Sequence, residues 1–143
     1  MALPQPEITT KRATFGMSCF VYPEAFFGAA KGVIKTRNGY AGGNRCNPNY
    51  LSNIIWEDHV ETVDIEYDPE ETTFEELLDI FWKNHDPCLK NKNRYMSAIF
   101  CHDDEQTEIA LKSWDEIAKK KTRTVVTAIL SAKQEWSFHI AEP

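Results

Sequence analysis

The sequence predicts an α+β fold of ferredoxin-like type, a split β-α-β sandwich with an additional helix and strand. Three observations predict it. Strand and helix patterns follow one another as β-α-β-β-α-β and then α-β. The chain has 143 residues, which suits one hydrophobic core better than two. No internal repeat, low-complexity tract or linker divides it. Residues 1–12, with two prolines and little apolar periodicity, read as an extended N-terminal arm, and 13–143 as a single domain.

The elements follow in order. Residues 13–20 form a short strand ending in Met17-Ser18-Cys19-Phe20. Pro23 stands where a first-turn proline belongs, so a helix over 24–30 follows, and Gly32 ends it. Residues 33–40 read as a second strand closed by Ala41-Gly42-Gly43, and 44–58 as a long polar loop. Residues 59–67 alternate in period two, which marks a half-buried strand stopped by Asp68-Pro69. Thr73 with Glu76 three places on is a capping-box pattern, and Leu77, Leu78, Phe81 and Trp82 give the helix its apolar face. Asp86-Pro87 breaks that helix. A loop to Arg94 leads into a strand over 95–101. Residues 103–121 open with acids, close with Lys119-Lys120-Lys121, and bury Ile109, Leu111, Trp114 and Ile117, which reads as a helix. Residues 124–130 are β-branched and strand-like.

Composition narrows the class. An apolar content of 42% and a charged content of 27% are those of an ordinary globular chain. No apolar run approaches the ~20 residues of a membrane-spanning helix, and the first dozen residues lack the apolar centre of a signal peptide, so a cytoplasmic location is expected. The net charge of −6 offers no basic face for nucleic acid; the lysine run is a solvated helix end. Cysteines stand at 19, 46, 88 and 101 without a CxxC pair or a Cys/His cluster of zinc spacing, so free thiols are expected and no metal site.

Cys19 closes a strand just ahead of a helix, where unpaired N–H groups and the helix dipole favour a thiolate. A buried packing cysteine is the competing description. Glu61 follows His59 on the alternating strand; buried, its carboxyl would hold a proton near neutral pH and could donate it, whereas on the outer face it would be an ordinary carboxylate. Tyr40 and Tyr95 stand at strand ends, either in the core or pointing hydroxyls into a shared cleft. Glu76 and Asp86 read as structural, Cys101 as a packing residue, and His85, His102 and His139 as isolated.

Taken in order, Phe15-Gly16-Met17-Ser18-Cys19-Phe20, Gly39-Tyr40-Ala41-Gly42-Gly43, Asn47-Pro48-Asn49-Tyr50, His59-Val60-Glu61-Thr62-Val63, Tyr67-Asp68-Pro69, Phe81-Trp82-Lys83-Asn84-His85-Asp86-Pro87 and Tyr95-Met96-Ser97-Ala98-Ile99-Phe100 resemble the type A, peptide methionine-S-sulfoxide, reductases over most of the chain. The resemblance implies that Cys19 attacks the sulfoxide sulfur, Glu61 protonates the departing oxygen, and Tyr40 and Tyr95 hydrogen-bond that oxygen. The products are the thioether and a sulfenic acid, which external thiols reduce. It implies no bound cofactor, only a thiol donor such as thioredoxin or dithiothreitol, and a peptide or small-molecule sulfoxide as substrate.

The sequence departs from the family's Gly-Cys-Phe-Trp signature. Phe20 keeps one pocket wall, Val21 replaces the tryptophan, and Tyr22 replaces a small residue. The lost indole opens apolar volume, and a single methylene of mismatch is worth ~1–3 kcal/mol, so a sulfoxide bulkier than that of methionine is expected to fit. Thr127-Ala128-Ile129 stands where the family usually has Thr-Glu-Ile, and His139 lies in a segment usually beginning Phe-Tyr. Cys46 and Cys88, both in loops, are candidates to resolve the sulfenic acid. The alternative function is an isomerase or cyclase on the same scaffold, with Glu61 and the tyrosines moving protons and Cys19 idle.

Overall fold

The computed structural model describes residues 9–17, 21–41, 60–90, 96–132 and 138–140, with 21–24 and 138–140 described by their backbone. The elements are β1 (Lys11–Met17), α1 (Val21–Gly28), β2 (Val33–Ala41), β3 (Val60–Tyr67), α2 (Phe74–Lys83), β4 (Ser97–Cys101), α3 (Asp104–Lys120), β5 (Ala128–Ser131) and β6 (Phe138–Ile140). The strands form one sheet in the order β5-β4-β1-β3-β2-β6. β5 runs parallel to β4 after the α3 crossover, and the other neighbours are antiparallel. This is the ferredoxin-like α+β architecture expected, with β6 added on the β2 edge.

The sheet's two faces separate two clusters. Alternation sends Ala13, Phe15 and Met17 of β1, Val63, Ile65 and Tyr67 of β3, and Ile99 and Cys101 of β4 to the face covered by the helices. There Phe15 stacks between Phe27 of α1 and Phe81 of α2, with ring centroids 5.4 and 5.0 Å away. The opposite face buries Ala41, Val60, Ala98 and Phe100.

That second face also holds a buried charge. Asp64 is 1% exposed and takes charge-assisted bonds from Arg12, whose Nε lies 3.2 Å from both carboxylate oxygens, and from Arg37. The Thr14 hydroxyl donates to Asp64 at 2.7 Å. His102 Nε2, 2.8 Å from that hydroxyl, must then be the donor to it, because the hydroxyl's one proton is already committed.

α2 forms as its sequence predicts. Thr73 is extended (φ −122, ψ 162) and its hydroxyl accepts from Glu76 N at 3.1 Å. The reciprocal bond is displaced by one residue: the Glu76 carboxylate accepts from the Thr72 hydroxyl at 2.8 Å. Leu77, Leu78, Phe81 and Trp82 are all buried. Gly32, at φ +87, turns the chain from α1 into β2; a Cβ there would lie 2.9 Å from atoms of Glu71 and Thr72.

Several boundaries differ from expectation. β1 begins at Lys11 rather than 13, because Lys11 and Arg12 pair with Tyr67 and Glu66. Residues 124–127 are not strand: Val126 N donates instead to Pro87 O at 2.8 Å, and pairing with β4 starts at Ala128. In α3 Leu111 is 52% exposed, since Gln106 and Ala110 carry the buried stripe with Ile109, Trp114 and Ile117 at its flanks. Leu111 stands about 100° around the helix from Ala110.

Candidate active site

The ends of four strands meet at one edge of the sheet. Ser97, first in β4, pairs with Met17, last in β1. Glu61, near the start of β3, pairs with Tyr40, near the end of β2. Phe15 pairs with Val63, so two residues further along each strand Met17 comes level with Glu61. Ser97, Met17, Glu61 and Tyr40 therefore form one cross-strand row on the helix-covered face.

Glu61 is 5% exposed, which answers the question the alternation left open: it lies on the core side. Tyr40 beside it is half-buried. Cys19 and Phe20 lie outside the described residues, in the link between β1 and α1; chain connectivity puts Cys19 two residues past Met17 and two before the first residue of α1. Val21 and Tyr22 are the first residues of that helix. Tyr95 and Cys46 also lie outside the described residues.

Cys88 is half-buried, its Sγ donating to Arg123 O at 3.5 Å, in a turn where Asp86 Oδ1 accepts from Cys88 N at 2.9 Å. The Arg123 guanidinium, 2.6 Å from Asp86 Oδ2, is the main reason the Asp86 carboxyl sits below its usual range. Cys101 is buried in the core, and burial pushes its thiol up, away from thiolate. Among the described residues no group of His, Cys, Asp and Glu is placed to hold a metal ion.

His85 is not the isolated side chain it looks in the sequence. Its Nδ1 lies 2.6 Å from Phe81 O, a carbonyl left free at the end of α2, and its Nε2 lies 2.6 Å from Ser97 Oγ. Ser97 Oγ is in turn 2.7 Å from Thr127 Oγ1. A carbonyl can only accept, so Nδ1 carries a proton. In the neutral ring Nε2 then accepts from the Ser97 hydroxyl, and Ser97 accepts from Thr127. Burial is the main cause that lowers the His85 pKa below 6.5, favouring that neutral ring. The one signal in the sequence was Ser97 itself, a hydroxyl inside an apolar strand two residues after Tyr95.

The peptide methionine sulfoxide reductase family model matches residues 11–143. A peptide methionine sulfoxide reductase of Drosophila melanogaster is 39% identical over 137 residues, covering 94% of this chain and 54% of its own length. Peptide methionine sulfoxide reductase MsrA 1 of Rhodopirellula baltica is 40% identical, covering 91% of this chain and 70% of its own. Among solved structures, reduced Mxr1 of Saccharomyces cerevisiae superposes with a TM-score of 0.79 at 27% identity, over 93% of this chain and 80% of Mxr1. The same yeast protein in complex with Trx2 gives a TM-score of 0.71 at 26% identity, over 98% of this chain and 86% of that one.

Proposed function

The chain belongs to the peptide methionine sulfoxide reductase family, and from that membership we propose that it reduces S-configured methionine sulfoxide, or a bulkier sulfoxide, at the expense of an external thiol. One observation carries the assignment to this edge of the sheet. A nearly fully buried carboxyl, Glu61, is paired with a tyrosine, Tyr40, at the level where β1 ends and the chain turns through Cys19 into α1.

The chemistry asks for this separation of environments. A thiolate must attack sulfur while a neutral acid protonates the oxygen that leaves. The Cys19 thiolate attacks the sulfoxide sulfur, an S–S bond forms, and the S–O bond breaks as Glu61 gives the departing oxygen its proton. The oxygen returns as hydroxide to the Cys19 sulfur, the S–S bond breaks with its electron pair on the substrate sulfur, and the products are the thioether and Cys19 sulfenic acid. The hydroxyls of Tyr40 and Tyr95 hydrogen-bond the oxygen as charge develops on it. Phe20, Val21 and Tyr22 shape the pocket, and replacing an indole by Val21 widens the substrate range. Two external thiols return the sulfenic acid to thiol with release of water, either directly or by reducing a disulfide that Cys46 or Cys88, as resolving cysteine, has first formed with Cys19. Thioredoxin is the donor class, in keeping with the complex formed by yeast Mxr1. The extended arm ends ahead of β1, which begins at Lys11 rather than after residue 12, and the protein works in the cytoplasm. Among the described residues no helix is long and apolar enough to cross a membrane.

The deciding experiment is single-turnover reduction of methionine-S-sulfoxide with dithiothreitol by the parent and by Cys19→Ser. Turnover in the parent that vanishes in the variant is the expected result. Turnover that survives the substitution would remove Cys19 from the chemistry and favour acid/base catalysis by Glu61 and the tyrosines.

A further inference from the structure

Building on the proposed reductase function, we propose that His85 and Ser97 are positioning residues of the sulfoxide site, holding the start of β4, and through it Tyr95, by a one-way chain of hydrogen bonds. Three elements meet in that chain. His85 caps Phe81 O at the end of α2, Ser97 opens β4, and Thr127 leads into β5. Asn84 Nδ2 caps the neighbouring carbonyl, Ile80 O, at 2.7 Å, so His85 is free to serve Phe81 with one nitrogen and Ser97 with the other. The Trp114 indole donates to Thr127 O at 3.0 Å, and Val126 N to Pro87 O at 2.8 Å, fixing the far end. The ring itself is clamped against Phe81, centroids 4.3 Å apart, and near Trp82 at 6.4 Å.

The placement gives the chain its purpose. Ser97 sits in the same cross-strand row as Glu61 and Tyr40, next to Met17. It is also two residues along the chain from Tyr95. A hydroxyl that binds a developing oxyanion has to be held to about 0.5 Å, and a strand end needs an anchor from outside its own sheet to be that steady. The polarity of the chain admits one arrangement in the neutral ring: Thr127 O–H to Ser97 Oγ, Ser97 O–H to Nε2, Nδ1–H to Phe81 O. The charged groups bearing on the ring are Asp86, which favours its protonation, and Lys121, which opposes it.

The test compares His85→Phe, which keeps the ring volume without an acceptor, with His85→Gln, whose carbonyl can still accept from Ser97. Each is made alone and in a Tyr95→Phe background, and kcat and KM are measured for methionine-S-sulfoxide with dithiothreitol. The expected result is a loss of about tenfold in kcat for His85→Phe with KM nearly unchanged, on the scale of one well-placed hydrogen bond. Most of the loss returns in His85→Gln, and His85→Phe costs nothing further once the Tyr95 hydroxyl is gone. An equal loss in both backgrounds, or a His85→Gln as slow as His85→Phe, overturns the proposal, as does a ¹⁵N spectrum placing the proton on Nε2. Should His85→Phe fail to fold, Ser97→Ala carries the same comparison while leaving the cap on Phe81 intact. A parent without turnover overturns the reductase function itself, and the positioning role falls with it; a parent that turns over isolates the outcome to His85 and Ser97.

Discussion

On β3, two carboxyl groups face opposite sides of the sheet and have opposite fates. Glu61 points to the helix-covered face and lies in the row with Tyr40, while Asp64, three residues on, points to the other face. There Arg12 and Arg37 neutralise it and Thr14 completes its shell. The difference predicts different failures. Glu61→Gln is expected to fold normally and lower kcat by about 10²–10⁴-fold, the usual worth of a general acid, measured at saturating sulfoxide. Asp64→Ala is expected to leave the chemistry alone and destabilise the fold by about 3 kcal/mol in urea denaturation, since breaking a buried ion pair strands its partners. The value falls at the low end because Arg12 and Arg37 keep 44% and 33% of their side chains exposed and can turn to water.

Among the elements, α2 was the most legible. Its cap, its acidic first turn and its apolar stripe are all local, and the structure matches them residue for residue except that Thr72, not the Thr73 backbone, answers Glu76. Thr73→Ala should therefore cost about 1 kcal/mol, and Gly32→Ala about 1–3 kcal/mol, because φ +87 and the contacts with Glu71 and Thr72 both oppose a Cβ; chemical denaturation of each variant is the check. β3 was legible as a strand but not as a face, for alternation has no sign, and only pairing with β1 and β2 placed Glu61 on the inside. β6 was missed because Phe138–Ile140 is too short to show a period and exists as strand through pairing with β2. Leu111 was misjudged because an apolar residue on a helix is not always on its buried stripe. His85 looked isolated because its partners come from β4 and from residue 127, which no local window joins. The motif residues at 40 and 61 were readable through family resemblance, and the register then put them side by side.

Across the molecule, two half-buried histidines respond to acid together. Burial is the main cause lowering His85, and burial followed by the nearby Arg12 charge lowers His102, both from 6.5. In the unfolded chain each binds its proton more readily, so unfolding takes up protons. The stability they contribute is complete above pH 6.5 and is lost as pH falls through their folded-state values. The urea midpoint should thus fall between about pH 7 and about pH 5, and His85→Gln or His102→Gln should flatten that slope; a slope unchanged in both variants would assign it to other groups. Sheet order has a further consequence, for the order in which the protein is made. β1 is central, flanked by β3 and β4, yet it is synthesised before either neighbour exists. The pairs Phe15↔Val63 and Phe15↔Ile99 cannot form until their later members have left the ribosome. Throughout that interval the strand that ends just before Cys19 has no partner strand to dock against, and the site proposed around its thiol waits on residues still to be made.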